Sequence, residues 1–173
     1  LAEKGLLSEV FVAAMQGTSG YGRSSDDLIH FSGMTENAFP YKTEGHRHRP
    51  EIEQELAALG SPAPVTFVPH LLPLDQGELA TCFAALSEPT SKEAIDALYQ
   101  GRYADEPFVH VLDGAPNLRA VRETNQCHVY VTVEERGRVM AFAAIDNIWK
   151  GASSQGVQNL NLMLGLDETE GLL

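Results

Sequence analysis

The chain has 173 residues, and 24 acidic against 12 basic side chains leave a formal net charge of −12. That length suits one domain with a core of its own, and 43% hydrophobic with 21% charged residues is ordinary for a soluble globular protein. The acidic balance argues against partners such as nucleic acid or an anionic membrane surface.

Leu1–Leu7, "LAEKGLL", reads as the last turn of a helix closed by Gly5. With no initiator methionine and no clear tail after "GLDETEGLL", the chain reads as a piece of a longer protein. Ser8 to Gln16 is a short apolar run that predicts a buried strand, leading into the glycine- and serine-rich loop "GTSGYGRSS". Residues 26 to 44 are mixed and predict irregular structure with one short strand. Pro50 suits the first position of a helix, Glu51 and Glu53 complement its positive end, and Ile52, Leu56 and Leu59 share one face. Gly60-Ser61-Pro62 ends it.

Val65 to Leu72 and Leu79 to Leu86 predict strands joined by the turn "PLDQGE". "SEPTSKEAIDALYQGRYA" opens with capping residues and places Ile95, Leu98 and Tyr99 on one helical face. Phe108 to Leu112 is a short strand. Cys127 to Val133 and Val139 to Ile145 are paired strands around the hairpin loop "EERGR". "KGASSQGVQNLNLMLG" closes the chain with helical spacing of Val157, Leu160 and Leu164. Strands outnumber helices, so the expected fold is α+β, with a mixed or largely antiparallel sheet and helices on one face, in a single domain over 1–173. No apolar run reaches the ~20 residues of a membrane span, and no signal peptide is visible. Cys82 and Cys127 form neither a CxxC nor a zinc pattern, which favours a reducing, cytoplasmic setting.

Four stretches carry candidate chemistry. "GHRHRPEIEQEL" places His46, Arg47, His48 and Arg49 before a helix. A metal site with His30 as third ligand, a solvated basic turn, and a general base with an anion clamp all remain open on these residues. Histidine titrates near neutrality, arginine grips carboxylates and phosphates, and a helix start offers free N–H groups. In "GTSGYGR", glycines after a strand let N–H groups converge on an anion, with Ser19 and Arg23 as donors. It is neither a Walker A loop nor a dinucleotide fingerprint. In "IDNIWKGASSQGVQN", small residues after Lys150-Gly151 permit a close approach or simply tight helix packing. Both cysteines read as strand residues, and Cys127 and His128 point to opposite faces.

Together "GTSGYGR", "GHRHRPEIEQEL", "VRETNQCHVYV" and "AIDNIWKGASSQGVQNLNLMLGLDETEGL" closely resemble the N-acetyl-γ-glutamyl-phosphate reductase family over essentially the whole chain. The resemblance implies a two-domain NADPH-dependent enzyme of arginine biosynthesis. Its C-terminal domain is of the kind shared with glyceraldehyde-3-phosphate dehydrogenase, and it assembles as a homo-oligomer, dimer or tetramer. A sister group acting on carrier-protein-linked aminoadipyl or glutamyl phosphates is an alternative, as is a non-catalytic oligomerisation domain. The family's nucleophilic cysteine motif and its dinucleotide domain have no counterpart in these residues, and Leu1 falls in the helix that follows the nucleophile. The resemblance implies His48 as acid and base, with His46 as runner-up. It implies Ser19, Arg23, Arg47 and Asn125 as substrate contacts, and Asn147, Lys150 and Gly151 as contacts of NADP. No metal is implied. The 147–165 segment is expected to pack on the dinucleotide domain. Gln76-Gly77 stands where many relatives have Arg-Gly; if that Arg helps bind phosphate in them, phosphate is held differently here.

Overall fold

The computed structural model describes residues 1–23 and 26–172. Seven strands form one sheet: β1 Leu7–Gln16, β2 Phe39–Pro40, β3 Val65–Leu71, β4 Glu78–Leu86, β5 Val109–Val111, β6 Cys127–Val133 and β7 Val139–Ile145. Their spatial order is β2-β3-β1-β4-β7-β6-β5. β1/β3 and β5/β6 run parallel and the other four pairs antiparallel, so the expected mixed sheet is present. β3 and β4 follow one another in sequence but do not pair, because β1 lies between them. Only β6 and β7 form a hairpin between successive long strands. It closes with Glu134 N–H to Arg138 O and Gly137 at positive φ.

The helices are α1 Phe31–Met34, α2 His48–Ala58, α3 Lys92–Tyr103 and α4 Ser154–Leu164. α2 begins two residues before Pro50, where sequence places its start, so His48 belongs to its first turn. Ahead of Pro50 the His48 N–H donates to His46 Nδ1 at 3.3 Å, while Arg47 at the N-cap position makes no side-chain cap bond. α3 has the expected cap, with Ser91 Oγ accepting Ala94 N–H, and it buries Ile95 completely.

α2 and α3 lie over one sheet face, but they do not meet. Val10, Val12, Ala63 and Val65 pack with Ile52 and Leu56 under α2, while Ala84, Val131 and Val139 pack with Ile95 and Tyr99 under α3. Between the two clusters runs an apolar trough of about 980 Å³, floored by Val12, Ala14, Ala80, Cys82 and Ala141. Leu1–Lys4 line one part of it, and His48 and Glu78 another. At the first of these, Leu6 N–H bonds Leu1 O and Gly5 N–H bonds Ala2 O, with Gly5 left-handed. This double closure is the Schellman motif that ends α-helices, as the sequence predicts for Gly5.

The opposite sheet face exposes aromatic side chains between β1 and β4. Phe11 lies 6.1 Å from Phe83 across β1 and β4, and Tyr130 stacks on Phe142 across β6 and β7.

Candidate active site

Gln16 at the end of β1, Glu78 at the start of β4 and Ile145 at the end of β7 lie at one level of the sheet. Side chains from the loops beyond these strands converge there. His46 is buried, with its ring edge-on to Tyr41 at 5.7 Å, to His48 at 4.6 Å, and tilted against Phe67 at 5.2 Å. Burial lowers the His46 pKa, and His48, Lys42 and Arg47 lower it further. Nδ1 accepts the His48 N–H through the lone pair that a neutral ring keeps. His48 is half-buried and lines the trough.

The Tyr41 hydroxyl accepts from Gln16 Nε2, and burial raises its pKa. Glu78 is half-buried beside the trough, and burial raises its pKa while the His48 charge opposes that rise. Arg47 and Arg23 are exposed. Arg47 acts on Tyr41 and His46 through its charge, so it borders the cluster.

The glycine loop does not form the anion cradle that its sequence suggests. Gly17, Thr18 and Ser19 donate their N–H groups to the carbonyls of Gly77, Leu74 and Asp75. These bonds clasp loop 17–20 against loop 74–77 and occupy those three donors. The clasp needs glycine at two positions. A Cβ on Gly17 would stand 2.3 Å from Asp75 O, and Gly77 has φ 121°. Ser19 Oγ donates to Asp75 O at 2.6 Å and accepts from Asn147 Nδ2 at 3.0 Å, while Asn147 Oδ1 accepts the Gly77 N–H at 2.6 Å. Ser19 and Asn147 are therefore brought together, but as the rivet between the glycine loop, the β3–β4 turn and the end of β7.

Asp146 fixes this rivet. It is fully buried, and its carboxylate accepts the N–H groups of Ile148 and Trp149 at 2.8 and 3.0 Å and of Glu123 at 2.8 Å. The chain then makes a π-helical turn, Trp149–Ser153, before α4. Such turns recur at functional positions. Gly151 sits inside it, its N–H bonded to Asp146 O. Lys150 turns back to Gln158 Oε1 at 2.5 Å, with its ammonium 5.0 Å from the Phe108 ring centre. Asn125 is buried and donates to Leu172 O. Neither Lys150 nor Asn125 lines the trough.

α4 is inverted relative to an ordinary surface helix. Its buried residues are Ser154, Gln158 and Asn161, of which Gln158 and Asn161 donate to Glu168 and Glu170 of the following turn, while Val157, Leu160, Met163 and Leu164 are 42 to 82% exposed.

Burial pushes the Cys82 thiol up to about 11 and also raises that of Cys127. At Cys127 the Lys150 charge opposes the rise, and burial outweighs it. Among the described residues no group of three or more His, Cys, Asp or Glu is placed to hold a metal ion, and no helix is long and apolar enough to cross a membrane.

Gln16, Tyr41, Glu78 and Asp146 are the participants that sequence reading did not single out. Asp146 had the one local signal, an acidic residue next to Asn147 at a strand end. The others are gathered by strand register alone.

Residues 1–147 match the family model for the semialdehyde dehydrogenase dimerisation domain. The N-acetyl-γ-glutamyl-phosphate reductase of Moorella thermoacetica is 47% identical over 94% of this chain and 48% of its own length. That of Pelotomaculum thermopropionicum is 45% identical over 95% of this chain and 49% of its own length. The chain thus spans about half the length of the curated relatives it matches. A probable aspartate-semialdehyde dehydrogenase from Pseudomonas aeruginosa superposes with a TM-score of 0.72 at 16% identity, over 94% of this chain and 57% of that one, which establishes the shared fold. The chain therefore belongs to the semialdehyde dehydrogenase dimerisation-domain family, and it is similar along nearly its whole length to the N-acetyl-γ-glutamyl-phosphate reductases.

Proposed function

We propose that this chain supplies the acid–base and assembly half of an NADPH-dependent reductase. The enzyme converts N-acetyl-γ-glutamyl phosphate to N-acetylglutamate semialdehyde and phosphate in arginine biosynthesis. The observation that carries this reading is His48 itself: a half-buried imidazole lining a trough, its backbone N–H bonded to His46 Nδ1, with Arg47 beside it in sequence. In that role His48 removes the proton of an attacking thiol and later returns one to the developing alkoxide. Arg47 and Arg23, both exposed, attract the anionic substrate. The raised thiols of Cys82 and Cys127 make neither a nucleophile, so the thiol comes from outside these 173 residues. The Schellman closure at Leu1–Leu6 and the apolar trough support a helix lying in the trough and carrying that thiol toward His48.

NADPH is the proposed reductant, but the residues named for it do not form a cradle. Both ends of the Asn147 amide are engaged by Gly77 and Ser19, and the Lys150 amine by Gln158. The binding of NADPH falls mainly to a further domain. The outward apolar residues of α4 are the surface on which that domain rests. The open sheet face, with Phe11, Phe83 and Phe142, is the surface through which two copies associate. This reading keeps the enzyme cytoplasmic.

The test is reverse turnover of N-acetylglutamate semialdehyde with NADP⁺ and phosphate. The isolated chain is expected to be silent. Joined to the dinucleotide-binding half of a relative it gains turnover, and His48→Asn lowers that by about 10²–10⁴-fold. Turnover by the isolated chain, or undiminished turnover of the variant, overturns the proposal. Turnover with a carrier-linked acyl phosphate alone selects the sister activity.

A further inference from the structure

Phe67 stands out on the trough side of the sheet. It lies on β3 opposite Val12 of β1, and the sheet positions around it on that face are small, as at Val12, Ala14, Ala80 and Cys82. Among the described strand residues that line the trough, Phe67 is the one aromatic ring. That ring meets the start of α2. Its centre lies 5.2 Å from the His46 ring and 6.1 Å from the His48 ring, and the two imidazoles are 4.6 Å apart. The three rings form a closed triangle, each side within the roughly 4.5–7 Å range of aromatic contact. Tyr41 backs this triangle, edge-on to His46 at 5.7 Å, with its hydroxyl bonded to Gln16 Nε2. Of the two histidines, His48 lines the trough and His46 does not.

The χ2 torsion of an imidazole is broad, so the side chain alone does not decide which ring edge faces outward. Among the described residues the hydrogen bond made at His48 comes from its backbone N–H, which leaves the ring to packing. Its ring neighbours are His46 at 79° and Phe67 at 68°, two nearly perpendicular walls. His46 belongs to the same segment as His48 and moves with it. Phe67 is anchored in the sheet by the β1–β3 pairing, so it ties the ring to the trough floor.

We propose that Phe67 is a positioning residue for His48: with His46 it forms the corner in which the imidazole rests, and it sets which edge of that ring faces the trough. The use of this placement in proton transfer rests on the reductase reading; the ring contacts do not. Replacing the aromatic ring by a flexible aliphatic side chain removes one wall and lets the imidazole turn about χ2.

Side-chain ¹³C relaxation of the histidine rings in the 173-residue chain tests this. In the wild type the His48 ring is expected to be as ordered as rigid backbone, with an order parameter of about 0.85; a value below about 0.6 overturns the proposal without any substitution being made. In Phe67→Leu the His48 value is expected to fall below about 0.6, and Phe67→Tyr, which keeps the ring, is expected to hold the wild-type value. Ile95→Ala removes buried volume under α3, in the other core cluster, and controls for lost stability. An unmoved His48 value in Phe67→Leu, or an equal fall in Ile95→Ala, overturns the proposal. In the chain joined to a relative's dinucleotide-binding half, Phe67→Leu should lower kcat about 10–100-fold with KM nearly unchanged, and Phe67→Tyr should recover most of that loss; an undiminished kcat in Phe67→Leu overturns it. The relaxation measurement involves no turnover, so an ordered, Phe67-dependent His48 ring in a chain that fails the reductase assay refutes the reductase reading alone.

Discussion

Replacing Asp146 by alanine removes one buried carboxylate and leaves three N–H groups without their acceptor: those of Glu123, Ile148 and Trp149. Each unsatisfied buried donor costs about 1–3 kcal/mol, and bonds to a charged acceptor stand at the upper end. Glu123 and Trp149 are exposed residues whose N–H groups recover water, so the sum is discounted to about 3–4 kcal/mol. With a urea slope of about 2 kcal/mol per molar, the unfolding midpoint falls by about 1.5–2 M. Asp146→Asn keeps an oxygen for Ile148 and Trp149 but turns an amide N–H toward Glu123, so about half that loss is expected. The assay is urea unfolding followed by circular dichroism for the three proteins. A midpoint within about 0.5 M of wild type in Asp146→Ala would refute the argument that this carboxylate fixes the β7–α4 turn. The same variant should accelerate amide exchange at Gly77, because Asn147 is held in place by that turn.

Cys82, pushed to about 11, should alkylate at pH 8 about a hundredfold more slowly than a thiol at its ordinary value, with the difference vanishing in denaturant; native-state alkylation at the denatured rate contradicts the burial argument. Burial lowers the pKa of both His46 and His128, so the unfolded chain binds more protons than the folded one as pH falls through the ordinary histidine value near 6.5. Stability should therefore drop between about pH 7 and 5.5, and a His46→Gln/His128→Gln double variant should lose less over that window; an equal drop in both proteins counts against it. Phe83→Glu on the open sheet face should shift sedimentation equilibrium toward monomer, since each dimer would have to desolvate two carboxylates, whereas an unchanged association constant moves the interface elsewhere. Ile95→Ala, at a fully buried site between α3 and the sheet, should cost about 2–5 kcal/mol, and a loss below 1 kcal/mol would mean the site collapses freely.

Much of the fold was legible locally. Alternating Val129, Val131 and Val133, the EERGR turn and the Ser91 cap each act within a few residues, and each element formed where its pattern predicts. The start of α2 was misplaced because its first turn extends ahead of Pro50 with no side-chain cap: Arg47 stands at the N-cap, and the His48 N–H bonds the His46 ring instead. The glycine loop misled for a related reason. Glycines signal a close approach of backbone, but whether the approaching group is an anion or the carbonyls of loop 74–77 depends on a turn nearly 60 residues away.

By itself the sequence determined the element types, the fold class, the family and the histidine pair next to a helix start, because periodicity, caps and short motifs are properties of neighbouring residues. The tertiary structure alone decided that β1 separates β3 from β4, that Glu78 shares a trough with His48, and that Ser19 and Asn147 bond each other. Strand order and register bring together groups dozens of residues apart, and no local preference encodes which distant partner a buried polar atom will find.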